Sequence, residues 1–443
     1  QPSGPCVPEG FSPKHKGHIM TTTTQVRSLL RVSSLGLAVA AALAWPAAQA
    51  GEVEVLHWWT SGGEAKAAQA LAGTMKAKGH TWKDFAVAGG GGDSAMTVLK
   101  SRVVSGNAPA AAQIKGPSLQ EWAKEGVLTN LDDVAGPEKW DSLLPAPIAA
   151  GLKYKGHYIA APVNVHRVNW LWVNPEAFKK AGAKVPTTWP EFFTAAEALK
   201  KAGIIPVAHG GQNWQDFTTF ESVALGLGGA EFYKKAFVQL DAGSLKSAKM
   251  KEILETFKKI KGYTDKNAPG RDWNLTTALV IRGEAGMQLM GDWAKGEFVA
   301  AGKVPGKDFE CVAAPGTAKA FTYNVDSFAM FQLKDAANIK AQRDLASAIM
   351  SPEFQELFNL NKGSIPVRLN MDLSKFDACA KTSAKDFTDS AKAGSLVPSI
   401  AHGMAVPSAA QGAIQDVVSQ YWNSDKLSAD EVMGKLVAAA KTK

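Results

Sequence analysis

Cysteine is scarce in this chain. There are three in 443 residues, and no metal-ligand spacing surrounds Cys311 or Cys379. His57, His80, His157, His166, His209 and His402 are scattered singly, which also argues against a metal site. Four signatures are missing: GxGxxG, the P-loop, GxSxG and HExxH. A dinucleotide site, a nucleotide-triphosphate site, a serine-hydrolase elbow and a zinc-protease helix therefore have no support. Lys+Arg 49 against Asp+Glu 41 gives +8, spread without a basic run, so nucleic acid is not an expected partner. The apolar stretch Leu35 to Trp45 is too short to span a bilayer. There is no internal repeat and no low-complexity linker.

The start of the chain reads as processing sequence. Residues 1–19 are polar and patternless ahead of Met20, and are set aside as an upstream extension. Arg27 and Arg31, the apolar stretch, then Ala48-Gln49-Ala50 make a secretory signal peptide over residues 20–50, cleaved after Ala50. No cysteine stands at that point to carry a lipid, so the expected location is the periplasm. In an oxidising compartment Cys311 and Cys379 read as one disulfide. It would close a loop of about seventy residues, worth roughly 4 kcal/mol in the chain-entropy model.

Tryptophan is abundant, with thirteen in the chain. Trp58-Trp59-Thr60-Ser61-Gly62-Gly63-Glu64 follows a strand-like run, Glu52 to His57, so both rings can turn toward one cleft. Gly62 and Gly63 let the backbone approach closely, and Glu64 opens a helix. Strand and helix patterns then alternate: helix through Ala68, Leu71 and Met75, strand at 82–88, the turn Gly89–Gly92, helix through Met96, Leu99 and Val103, strand at 110–114, helix at 118–125. That order implies a parallel sheet flanked by helices, with ligands at the carboxyl ends of the strands. Tyr158 to Asn174 and residues 311–334 read as extended crossings. The α/β chain thus divides into two lobes joined by several crossings. The first lobe is 51–163 plus about 324–375, and the second about 164–323 plus 376–443.

The remaining motifs suit a sugar. Rings stack C–H faces on tryptophan, and hydroxyls need polar or charged partners. Trp273 lies in Arg271-Asp272-Trp273-Asn274, and Trp293 follows the apolar strand 283–290. Asn324 and Asp326 alternate with Val325, so both face one side, and the carboxylate can grip two hydroxyls. Lys362 sits on a loop past a helix, and His402 is followed by Gly403.

The segments WWTSGGE (58–64), QIKG (113–116), PTTWPEF (186–192), GEAGMQLMGDWAKGEF (283–298), NVDSFAM (324–330), KGSIPVR (362–368) and AHGMAV (401–406), in this order behind a signal peptide, carry a resemblance. The chain resembles the extracytoplasmic sugar-binding proteins of bacterial ABC importers, and is most similar to the glucose-binding proteins of Gram-negative bacteria such as Pseudomonas. The resemblance implies a two-lobed periplasmic-binding-protein fold, each lobe a mainly parallel sheet flanked by helices. It implies a monomer that closes on one monosaccharide, glucose, and delivers it to an inner-membrane ABC permease, with no catalysis, cofactor or metal. By similarity Trp58, Trp59, Trp273 and Trp293 would contact the ring. Glu64, Lys115, Asn324, Asp326, Lys362 and His402 would bind hydroxyls. Gln113, behind Lys115, and Asp292, beside Trp293, would support them. Two other readings stand beside it. A secreted glycoside hydrolase could cast Glu64 and Asp326 as its carboxylate pair, although Lys115 and Lys362 would keep both ionised. A binding protein for a disaccharide or a sugar phosphate would share the clamp.

Overall fold

The computed structural model describes residues 50–442. The expected extension and all of the leader except Ala50 lie outside them. Among the described residues no helix is long and apolar enough to cross a membrane.

Glu52–His57 pairs in parallel with Thr81–Ala86 on one side and Ala111–Gln113 on the other. Ser327–Met330 and Ala160–Pro162 complete a five-stranded sheet. A second sheet joins Glu310–Ala313, Trp170–Val173, Ala285–Leu289 and Ile205–Val207 in that order. Each sheet carries one strand running against the rest. Ser327–Met330 is antiparallel to both neighbours in the first, and Trp170–Val173 to both in the second. The reversed strands are those that enter a lobe directly from the other one. A chain arriving from the opposite lobe meets the sheet from the cleft side and must run away from it.

Two large apolar clusters sit under the sheets. The first draws on 53–165 and 321–387, the second on 171–320 and 397–439. Phe376, Ala380 and Phe387 pack with the first, so that cluster extends past residue 375. A third cluster, built on Trp170, Trp172, Phe298 and Phe309, also holds Cys379, which is bonded to Cys311. Where the chain passes between lobes, His166–Arg167, Phe321–Asn324 and Leu396–Pro398 form a small three-stranded sheet. Both expected extended crossings run through it.

Local chemistry explains the elements that aim side chains at the cleft. The helix Pro352–Lys362 starts on Ser351, whose side chain accepts from the Phe354 amide, with proline in the first turn. Phe354 and Phe358 bury one face of it. Gly363 ends it at φ 91°, leaving Lys362 in the last turn. A Cβ on Gly363 would lie 2.4 Å from the Asp292 carbonyl, so close packing as well as dihedral angle demands glycine there. Capping boxes form at Thr188/Glu191 and at Ser428/Glu431.

Candidate functional site

A cavity of about 160 Å³ lies between the lobes, and all ten residues expected to touch ligand line it. Strand ends supply most of them. Trp58, Trp59, Glu64 and Lys115 follow first-sheet strands, Trp293 follows Ala285–Leu289, and Asn324 and Asp326 come from the second crossing. His402 comes from the turn after Leu396–Pro398, and Trp273 opens the helix Trp273–Ile281.

The two leading tryptophans differ. Trp59 is 2% exposed and packs on Phe328 and Phe358, with ring centroids 5.5 and 5.1 Å away, so most of its surface is core. Trp58 is half-buried, with the Lys115 ammonium 5.2 Å from its ring centroid. Gly62 and Gly63 were expected to bring backbone toward a ligand. Gly63 instead packs on the Gly296 backbone of the other lobe and donates to Glu297 at 2.9 Å. Gly91 and Gly92 press against the rings of Trp214 and Trp58, so the four-glycine turn is a packed rim of the cleft.

The charged groups are engaged with one another. Lys362 Nζ donates to Glu64 at 2.7 Å, and both are buried. Asp326 accepts from Gln113 at 3.2 Å, Asn164 at 3.1 Å and His166 at 3.0 Å. Of roughly four lone-pair positions on a carboxylate that leaves one, so Asp326 can hold a single further hydroxyl and not two. Burial alone would raise its pKa. The hydrogen bond and charge of His166, with Lys115 and Lys362, hold it well below the usual carboxylate range. Gln113 does not line the cavity; it supports Asp326, not Lys115 as expected. Asp292 also stands behind the wall, meeting His166 Nδ1 and accepting from the Arg167 amide at 2.9 Å.

His402 is kept neutral. Burial, then the positive charges of Lys115 and His166, push its pKa well below the ordinary histidine value. Its Nε2 lies 3.0 Å from Thr218 Oγ1, whose own proton goes to the Trp214 carbonyl at 2.8 Å. Nε2 is therefore the protonated nitrogen, and Nδ1 is left as an acceptor. Three buried atoms of residues that line the cavity, Ser61 Oγ, Trp293 Nε1 and Asn324 Oδ1, have no partner among the described residues. Such groups are costly unless something pairs with them.

Sequence reasoning missed Ser61, His166, Gln212, Trp214, Asp272 and Asn274, which also line the cavity. Trp214 packs near Trp293 and His402, at 6.3 and 5.9 Å between centroids. It lies just past Gly210-Gly211, at the start of the helical stretch Asn213–Phe237, which breaks at Gly229. A larger space of about 790 Å³ shares Trp58, Gly91, Lys115, Trp214 and His402 with the inner cavity.

The model of the family "Bacterial extracellular solute-binding protein" matches residues 59–356. A Rhizobium meliloti protein described as a "Probable sugar-binding periplasmic protein" is 52% identical, across 95% of this chain and 98% of its own length. A Brucella suis protein with the same description is 49% identical, across 94% and 99%. Among solved structures, the bacterial solute receptor AcbH, described as having an exclusive preference for β-D-galactopyranose, superposes with a TM-score of 0.75. Its identity is 18%, with 88% of this chain and 98% of that one covered, so the likeness is one of fold. The two-lobed α/β architecture, the matched segment and the extent of these similarities place the chain in the bacterial extracellular solute-binding protein family.

Proposed function

We propose that this solute-binding protein is the periplasmic sugar-binding component of an ABC importer. Its ligand is one neutral monosaccharide, glucose, which it delivers to the inner-membrane permease. It acts as a monomer without cofactor or catalysis, after export and cleavage following Ala50. The observation that carries the reading is the small cavity itself. About 160 Å³ is well below the roughly 300–1,000 Å³ of drug-sized pockets. Its wall combines the faces or edges of Trp58, Trp59, Trp214, Trp273 and Trp293 with unpaired polar atoms from both lobes. Sugar hydroxyls would satisfy Ser61 Oγ, Asn324 Oδ1, Trp293 Nε1 and the free Nδ1 of His402. An unmatched buried partner would penalise the wrong stereoisomer.

Charge supports a neutral ligand. Lys115, Lys362 and a charged His166 are already offset by Glu64, Asp326 and Asp292, and Asp272 adds a further carboxylate to the cavity wall. A phosphate would bring negative charge to a site with no cation to spare among the described residues. Hydrolysis is disfavoured for a related reason. Asp326 is held ionised, and the Glu64 carboxylate is engaged by the Lys362 ammonium at 2.7 Å, so the pair lacks the free acid and base that hydrolysis needs. The larger adjoining space favours one second reading, a disaccharide with one ring in the inner cavity. Calorimetric titration with glucose, galactose, mannose, maltose and glucose 6-phosphate separates these. One-to-one binding of glucose ahead of the rest is expected. Preference for maltose selects the second reading, and preference for the phosphate refutes the charge argument.

A further inference from the structure

His166 lies where the lobes meet. Its short strand pairs with Phe321–Asn324, and His166 sits opposite Asn324. The ring is 1% exposed, and both nitrogens face carboxylates. Nδ1 meets Asp292, which follows a strand of the second lobe. Nε2 lies 3.0 Å from Asp326 on the second crossing. A neutral ring would turn a lone pair toward one carboxylate, whereas an imidazolium donates to both. Burial opposes that charge, but the two carboxylates outweigh it and raise the pKa. The Asn164 amide, 3.1 Å from Asp326 and 2.9 Å from Nε2, is the group that could serve a neutral ring instead. Arg167 on the same strand, and Lys115 and Lys362 beyond Asp326, are the nearby cations.

Asp292 adjoins Trp293, whose ring packs edge-on against His166 at 5.2 Å and 85°. One imidazole therefore touches the cavity-facing carboxylate, the anchor of the Trp293 turn, and the Trp293 ring. We propose that His166 is a positioning residue that couples Asp326 to the Asp292–Trp293 turn across the hinge. The polar and aromatic halves of the site are then set as one unit. The inference rests on the sugar-site reading above, but part of its test does not.

The test compares His166→Gln, Asp292→Asn and the double variant with the parent protein. Each is titrated with D-glucose, melted, and examined by nitrogen NMR of labelled histidine near neutral pH. His166→Gln is expected to weaken glucose binding at least about tenfold, the scale of a lost hydrogen bond to a charged group. Asp292→Asn should weaken it too, although Asp292 does not line the cavity. The double variant should be no weaker than the worse single one by more than about twofold, because the residues act through one link. A lower melting temperature with unchanged affinity, or fully additive losses, would overturn the proposal. In the spectra both His166 ring nitrogens should be protonated, and Asp292→Asn should shift the Nε2 signal that faces Asp326. An unprotonated Nε2, or a signal indifferent to Asp292→Asn, refutes the coupling. If the parent binds no glucose, the glucose reading falls and the spectra alone decide this one. Asp292→Asn also keeps the test open should His166→Gln not fold.

Discussion

Replacing Lys115 by methionine should make the protein more stable and a worse receptor. The residue follows the strand Ala111–Gln113 and reaches the cavity with no hydrogen-bond partner among the described residues. Burial lowers its pKa; Asp326 is the main opposing influence and Lys362 acts with burial. Its residual exposure is to the cavity. Removing a poorly paired cation from such a place is worth about 1–2 kcal/mol, at the lower end of what replacing buried ions with apolar groups yields. Loss of the contact with the Trp58 ring, at 5.2 Å, returns about 0.5–1 kcal/mol of that. The net expectation is a gain of about 1 kcal/mol, read as a higher denaturant midpoint with unchanged slope. In the sugar complex the variant lacks a charged donor, about 1.5–3 kcal/mol, or roughly 10- to 150-fold in Kd. Denaturant unfolding without sugar and calorimetry with glucose read the two effects separately. A variant less stable by more than about 1 kcal/mol that binds glucose like the parent would make Lys115 a structural cation and refute the reasoning.

Three other expectations follow from the same geometry. Trp293→Ala should lose at least about tenfold in glucose affinity while its circular dichroism stays that of the parent, since an aromatic contact and an indole donor go together; equal affinity would remove Trp293 from the site. His402→Ala should weaken binding by roughly 1–3 kcal/mol, and an unchanged Kd would leave His402 a structural role in its bond to Thr218 and its packing against Trp214 and Trp293. Glu221 is buried, and burial raises its pKa from 4.5 to about 7, against hydrogen bonds from Ser399, Tyr233 and the Ala401 amide. Between those two values the folded state holds a proton the unfolded state has lost, so stability should fall by up to about 3 kcal/mol as pH rises through the window; Glu221→Gln should flatten that slope in unfolding measured at several pH values, and a slope that persists would assign it elsewhere.

The elements were legible because their signals are local. Met250, Ile253, Leu254, Phe257 and Ile260 recur at helical spacing and bury one face of Ala248–Ile260. The box residues at Thr188 and Ser428 mark helix starts within a turn. The reversed strands could not be read, because strand direction depends on which lobe the chain has just left. The residues of the candidate site were legible partly as tryptophans and polar groups near strand ends and partly through the family resemblance. Its internal pairings were not. Glu64 and Lys362 are 298 positions apart, and Gln113 and Asp326 are 213 apart. No periodicity connects them. His166 and Trp214 escaped for another reason. A lone histidine in an extended crossing, and a tryptophan at the head of a largely buried helix, look like structural residues until the other lobe is in place.

Helix Ala294–Ala300 of one lobe packs on Gly62–Ala77 and Pro352–Lys362 of the other, and the remaining contacts across the cleft are individually small. Gly63 donates to Glu297, and Ser408 donates through its amide and hydroxyl to Glu121 at 2.9 and 2.7 Å. Gly91 meets the Trp214 ring, and the Gly116 backbone meets the Gly403 carbonyl. Each such hydrogen bond contributes only about 1 kcal/mol net, and glycine-to-backbone contacts bury little apolar area. These contacts steer closure more than they drive it. The groups that face one another across the cavity, with Ser61, Lys115 and Asn324 on one side and Trp293 and His402 on the other, need something between them. A ligand that touches both sides binds the closed arrangement better than any open one, and only that difference in affinity can shift the equilibrium. On the proposed reading the unpaired atoms in the wall would serve recognition and closure together. Substitutions that pair them internally should raise the closed fraction and lower the affinity for sugar.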